Sequence, residues 1–556
     1  MSDYIKVQLG SSFLLNSGIC GFINFLRSND AAEGTDYIIS NQDLEISKSY
    51  LVENDIPGMY VETAVRLFEQ DTRYYRVVNE ESKEIRILND DIANLDEKKS
   101  KRLSELYKNF EDMMLKASFK SGYKIMAEYD DVIPVTEDII TNLKKEKDPV
   151  VKYDIYKNIL KLLEQKTVKN ILVFKEITYS KLKLFFGESE FCLKTNTGKT
   201  GASVFDKDFY QPLLKELCAD EKKKKKLCIE CLNYSSDTKS ISFMIDTTDD
   251  VNRKKSYYWN CKPDAFVCPV CAFIYSFSPF GFVFTGSDCV FINSNGNINN
   301  LVNIMETYRV KNDIDNDEKS GRKKKLYRAF TSEKVDMLKM KLSNFQVITR
   351  NSEFSHFNFS VIDRDTIRKL NDGKKYLTNI EKIWVKINKS DSFLSVYDEV
   401  MDCIIERKSF YYLIDSIMKA ELSTGNNIGY LMNVLKLQII FNGGAEMDNL
   451  NKKVDAAFFA GRDLRIKILG NNADSPSGED DNSIRGFVYR LVNLASVGDT
   501  SQFIDTVIRI YSGFGLTIPS VFKECYKSEE IFKAIAHGFI LGLKYVKYNK
   551  EETNNG

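Results

Sequence analysis

The sequence predicts an α+β, multidomain fold: a mixed N-terminal part, an inserted four-cysteine zinc-binding module and a C-terminal helical bundle. Three observations lead there. Cys228-Ile-Glu-Cys231 and Cys268-Pro-Val-Cys271 are two Cys-x-x-Cys knuckles separated by 36 residues, and two such turns supply a tetrahedral shell of four thiolates. Before and after them, short β-like and helical patterns alternate. Beyond about residue 392, apolar residues recur every three or four positions, the period of a helix facing a core. The expected divisions are 1–225 (α+β), 226–290 (zinc module), 291–391 (α+β) and 392–556 (helical bundle).

Along the chain, Tyr4 to Gln8 reads as a strand and Gly21 to Leu26 as part of a short apolar helix. Further strands are expected near Tyr74 to Leu88, a long charged helix from about Ile92 to Lys116, and a strand at Ile171 to Phe174. Thr195-Asn-Thr-Gly-Lys-Thr-Gly201 is a polar loop. From Ala265 to Ser287 no charged side chain occurs, long enough on length alone for a membrane span. Its prolines, glycines and period-two aromatics (Phe273, Tyr275, Phe277, Phe280, Phe282, Phe284) instead predict a knuckle running into a buried hairpin, and no transmembrane segment is expected. Leu326 to about Asn388 alternates short strands and helices. Three apolar stripes then mark bundle helices: Leu450, Val454, Phe458, Gly461, Leu464 and Ile468; Ile484, Phe487, Val488, Leu491 and Leu494; Ile531, Ile535, Phe539 and Leu543. Gly470 to Ser483 is a loop, and Ser528 before Glu529 and Glu530 is a helix start.

Composition narrows the chemistry. Of 556 residues, 43% are hydrophobic and only nine are proline, enough apolar content for real cores. Seventy-nine basic residues balance seventy-nine acidic ones, so any nucleic-acid affinity must come from the distribution of charge. Only His356 and His537 occur, which argues against histidine-metal nucleases and histidine-based triads. Both read as structural. Eleven cysteines without a signal peptide suggest a reducing cytoplasmic setting.

The metal ligands expected are Cys228, Cys231, Cys268 and Cys271, holding a structural Zn2+ because a closed four-sulfur shell leaves no open position for substrate. Cys261 is a nearby substitute, left out because the two knuckles already complete the shell. Gly198-Lys199-Thr200 lacks the first glycine of a phosphate-binding loop, since Leu193 stands in its place. The loop can instead offer Asn196 to a base edge, Lys199 to a phosphate and close backbone approach at Gly198 and Gly201. Basic clusters at Arg322, Lys323, Lys324 and Lys325, and at Lys452, Lys453, Arg462, Arg465 and Lys467, are candidate phosphate contacts; ordinary solvation of helix faces is the alternative. Asp246, Asp249 and Asp250 read as turn caps, and no catalytic constellation emerges.

The order of these features resembles the CXXC-CXXC large-subunit family of type I-B CRISPR effector (Cascade) complexes. The resemblance rests on Asn16-Ser-Gly-Ile-Cys-Gly-Phe22, the two knuckles, Phe277-Ser-Pro-Phe-Gly-Phe282 and Ala534-Ile-Ala-His-Gly-Phe-Ile-Leu-Gly-Leu543, and covers most of the chain. It implies a non-catalytic large subunit of an antiviral surveillance complex. Such a subunit joins crRNA and its backbone and handle-capping subunits, senses a protospacer-adjacent motif in double-stranded DNA, holds the displaced strand and recruits a helicase-nuclease. A zinc-dependent nucleic-acid-processing enzyme and a free-standing zinc-ribbon adaptor are the rival expectations. The resemblance also implies helical small subunits, which the same gene can encode: Met447 heads an amphipathic helix, and the codons of Gly443 and Gly444 can spell a ribosome-binding sequence before it. Initiation there would yield a product of about 110 residues, near common domain size.

Overall fold

The computed structural model describes residues 3–545 except 93–94, 128, 130–132, 187–198, 246–264, 286–287, 315–344, 351–355, 387–392, 422–427, 443–446 and 471–481. The chain forms two compact units, one of residues 1–309 and 345–359, the other of residues 310–344 and 360–556. Helix and strand are mixed in the first, and the C-terminal region of the second is helical, as the α+β prediction requires.

In the first unit, Asp43–Ser47 is the middle strand of a three-stranded antiparallel sheet. Tyr4 pairs opposite its Ser47, and Tyr37 opposite its Ile46. The opening helix, Phe13–Ser28, starts where the Ser12 hydroxyl accepts from the Leu15 amide, satisfying one of the amides a helix leaves unbonded. Every residue from Leu14 to Leu26 is buried, so the helix has no polar face to reveal its period. Asn16 sits within it at no polar cost. Its amide donates to Gly10 O at 3.1 Å and to Asn293 Oδ1 at 3.0 Å, and its carbonyl accepts from Gly10 N at 3.0 Å. A second sheet has the strand order Asn358–Ile362, Phe345–Arg350, Asp288–Asn293, Val283–Thr285.

Three expectations are overturned. Tyr74 to Leu88 is helical, not strand: Arg73–Tyr75, a π-helical turn over Arg76–Glu81, and Ser82–Asp90. Its buried residues Tyr74, Val77, Val78 and Ile85 lie at helical spacing, and Glu176 accepts from the amides of Arg73 (2.7 Å) and Tyr74 (3.1 Å) at the start. Ile171 to Phe174 lies inside the helix Lys166–Ser180, where tertiary burial of Val168, Leu172 and Ile177 outweighs the β preference of the local run. The aromatic run after the second knuckle is two short helices, Pro269–Tyr275 and Ser278–Gly281, before the strand Val283–Thr285. Pro269 and Pro279 occupy first-turn positions, where the missing amide costs nothing. Only the hairpin beyond Phe282 matches the period-two expectation. Among the described residues no helix is long and apolar enough to cross a membrane.

The second unit packs its helices around one core. Met447–Leu469 buries Leu450, Val454, Ala457 and Leu464, and Asn482–Val497 buries Ile484, Val488 and Leu491 while Phe487 is exposed. The final helix, Glu529–Lys544, begins with Ser528 accepting from the Ile531 amide and is buried without interruption from Ala534 to Lys544. It meets Met447–Leu469 backbone to backbone. A Cβ on Gly461 would lie 2.1 Å from Phe539 O, and one on Gly542 2.0 Å from Phe458 O. His537 is fully buried there, with Nδ1 2.6 Å from Lys533 O and Nε2 2.8 Å from Asp415 Oδ1, a structural placement.

Candidate metal centre

The four knuckle cysteines converge. The first knuckle is a hairpin, Lys226–Leu227 paired with Tyr234–Ser235, closed by Cys228 N donating to Asn233 O at 3.0 Å and Leu232 N to Cys228 O at 3.1 Å. The turn is tight enough to hold Leu232 at φ 57°, a left-handed conformation uncommon away from glycine. The second knuckle opens a helix: Cys268 is its N-cap, and its sulfur accepts from the Cys271 amide at 3.4 Å. Two bonds tie the knuckles together, Ile229 N to Phe266 O at 2.9 Å and Cys268 N to Cys228 Sγ at 3.2 Å.

The Sγ atoms of Cys228, Cys231, Cys268 and Cys271 all lie within 4.8 Å of one another. Tetrahedral zinc–thiolate bonds place sulfurs about 3.8 Å apart, and Cys231 and Cys268 are separated by 3.8 Å. Cys228, Cys268 and Cys271 are buried, while Cys231 is exposed. Hydrogen bonds from the Cys231, Cys268 and Cys271 thiols hold the Cys228 thiol far below its ordinary range. The reciprocal bonds push the Cys271 thiol well above its ordinary range. Clustered sulfurs with amide donors aimed at two of them suit a thiophilic ion, and these four residues can hold one.

The centre is fastened to the opening helix. Glu230, between the first two cysteines, accepts from Tyr275 OH at 2.7 Å, and Ser12 Oγ lies 3.1 Å from the same hydroxyl. Burial pushes the Glu230 carboxyl up. The helices after the second knuckle then press on Phe13–Ser28 at glycines. Added Cβ atoms would lie 2.4 Å from Ile274 O at Gly18, 2.0 Å from Phe277 O at Gly21, and 2.1 Å from Ser17 O at Gly281. Sequence reading passed over Glu230, Tyr275 and this contact. The available signal was two glycines three residues apart, Gly18 and Gly21, in a mostly apolar helix, which usually have a packing reason.

Residues 221–283 match the family model described as CRISPR-associated protein (Cas_CXXC_CXXC). That segment contains all four cysteines and the helices that lock onto the opening helix. The match supports a CRISPR-associated role for the chain. No curated protein and no solved structure matches it.

The candidate nucleic-acid residues have different placements. Asn196 and Gly198 lie outside the described residues, as do Arg322, Lys323, Lys324 and Lys325, and Asp246, Asp249 and Asp250. Lys199 is exposed; Gly201 is buried, and its close approach is to the Phe174 ring, 2.1 Å from an added Cβ. On Met447–Leu469, Lys452 and Lys467 are exposed. Lys453 pairs with Glu524 at 2.5 Å, and Arg462 stacks over the Tyr545 ring at 5.2 Å. Arg465, expected on the exposed basic face, is 2% exposed, with Nη1 donating to Leu543 O at 3.0 Å. It follows Leu464 into the core and bonds a carbonyl that the end of the final helix leaves without an intrahelical partner.

Proposed function

We propose that this chain is the non-catalytic large subunit of a type I-B crRNA-guided DNA surveillance complex acting in antiviral defence in the cytoplasm, with structural Zn2+ in its four-cysteine centre. The observation that carries the reading is the convergence of four sulfurs inside the segment matched to a CRISPR-associated family, in a closed shell fastened to the opening helix. Such a centre fixes a surface and leaves no ligand position for a reacting group.

The surface around the centre supports assembly. Leu227, Ile229, Leu232 and Tyr234 are exposed on the first knuckle beside Lys222, Lys223 and Lys225, an apolar patch rimmed by charge of the kind used to meet partners. In this reading the subunit joins crRNA with its backbone and handle-capping subunits, senses a protospacer-adjacent motif in double-stranded DNA and recruits a helicase-nuclease. Lys199, with Asn196 and Gly198, would approach the duplex, and the basic run Arg322 to Lys325 would add phosphate contacts. On the helical unit, exposed Lys452, Lys467, Arg485 and Arg490 stand with exposed Phe459 and Tyr489. Cations and stacking rings together suit the displaced single strand. Met447 begins its helix, and internal initiation there would release a helical small subunit; silent recoding of the Gly443 and Gly444 codons should abolish a C-terminal species of that size.

Purification from a native source, followed by extraction and sequencing of bound nucleic acid, tests the reading. RNA of a single repeat-derived length is expected. Absence of RNA would favour a free-standing zinc adaptor, and turnover of DNA by the isolated chain would favour an enzyme; either contradicts the proposal.

A further inference from the structure

Lys175 is the one lysine whose Nζ is buried without a hydrogen-bond partner among the described residues. It belongs to the helix Lys166–Ser180, is 2% exposed, and lines a cleft of about 280 Å3 on the first unit. An ammonium removed from water with nothing to bond costs several kcal/mol, so a helix position that keeps one calls for a partner. Desolvation alone lowers its pKa, to about 8. The other cleft residues are not an ordinary apolar core. Thr167, Asn170 and Phe174 follow one another along the same helix face, and Thr200 and Gly201 form the facing wall. The Thr200 hydroxyl accepts from the Ser203 amide at 3.1 Å, which leaves its proton to donate outward. Lys166, at the rim, is engaged by Glu62 at 2.8 Å.

We propose that this cleft binds one phosphate group of a nucleotide, with Lys175 as the buried counter-ion and Thr167, Asn170 and Thr200 as hydrogen-bond donors. Two hydroxyls, an amide and an ammonium match the three terminal oxygens of a phosphate monoester better than the two of a carboxylate. The volume is larger than a phosphate needs and just below the roughly 300 Å3 at which drug-sized sites begin. Val61, Ile125 and Phe174 give the remainder an apolar wall for a sugar or base. The ligand can be a free mononucleotide or the phosphorylated end of a strand. The site is independent of the zinc centre and of the effector reading.

Calorimetric titration of the intact protein with AMP, inorganic phosphate, adenosine, and a short RNA with or without a 5′ phosphate is the test. AMP or the 5′-phosphorylated RNA should bind with Kd below about 1 mM, adenosine and the 5′-hydroxyl RNA at least tenfold more weakly. A preference for AMP over RNA identifies a free nucleotide, the reverse a strand end. Lys175→Met should abolish binding while its melting temperature equals or exceeds that of the unsubstituted protein, because it removes an unpartnered buried charge. Asn170→Leu should weaken binding several-fold, and Lys98→Ala, at an exposed position outside the cleft lining, should leave it unchanged. Equal binding of adenosine and AMP, no phosphate-dependent heat, or undiminished binding by both Lys175→Met and Asn170→Leu would overturn the site.

Discussion

Gly21→Ala is expected to damage the protein far out of proportion to one methyl group. The added Cβ would lie 2.0 Å from Phe277 O, 2.8 Å from Gly281 N and 3.0 Å from Phe277 C. All three are backbone atoms, which cannot step aside as a flexible side chain does. Relief requires the opening helix and the post-knuckle helices to separate by more than about 1 Å, which forfeits a large part of the dispersion attraction across a dry contact. Phe22 and Phe25 would lose their close ring contacts with Phe277, at 4.8 and 5.0 Å. Overpacking of this kind costs about 1–3 kcal/mol, and the upper end applies because both sides are main chain. At roughly 2 °C per kcal/mol for a unit this large, melting should fall by about 6 °C. Differential scanning calorimetry with a chromophoric metal chelator present reads both the melting and the release of metal. Gly486→Ala is the control: it lies within Asn482–Val497 with nothing within 4 Å of an added Cβ, so it should stabilise by about 0.5–1 kcal/mol. Equal effects of the two substitutions would refute the close-contact argument.

Replacing Cys228 and Cys231 together with serine should remove one equivalent of metal by mass spectrometry and lower the melting temperature, since a structural ion's binding energy is folding energy; retained metal would contradict the ligand set. Arg465→Met should destabilise the helical unit by about 1.5–3 kcal/mol in denaturant titrations, because the Leu543 carbonyl loses a charge-assisted donor, whereas Lys467→Ala on the exposed side should change it by less than about 0.5 kcal/mol. Asp363 caps Arg364–Asp372 by accepting from the Thr366 amide at 2.8 Å, and that bond, with a further one from the Thr366 side chain and Arg407 nearby, holds its carboxyl below the usual range. Its contribution is therefore complete above the ordinary carboxylate pKa and is lost as pH falls through the lowered value; carbon-detected NMR titration should show the depression, and Asp363→Ala should remove about 1 kcal/mol at neutral pH and almost nothing in strong acid.

What the sequence revealed follows from how locally each feature is encoded. The four-cysteine cluster was legible because a candidate metal site shows itself in both residue type and spacing. The strand at Tyr4–Gln8 and the cap at Ser528 were legible for similar local reasons. Helices with one wet face, such as Met447–Leu469, declared their period. The helices at Pro269–Tyr275 and Ser278–Gly281 did not, because burial on all sides leaves no wet face to mark a period, and alternating aromatics imitate a strand; the opening helix Phe13–Ser28 was legible only over Gly21 to Leu26. Arg465 misled for the converse reason: a charged residue beside a stripe reads as solvated until a helix end supplies its carbonyl. The cleft at Lys175 is assembled from segments distant in sequence, and nothing local distinguishes that lysine from those around it.

The most direct test of the central claim, a closed four-sulfur centre rather than a reactive one, is zinc-edge X-ray absorption on natively purified protein. One zinc per chain with four sulfur neighbours at about 2.3 Å is predicted. Nitrogen or oxygen in place of a sulfur, or protein that carries no metal yet melts as one cooperative unit, would contradict it.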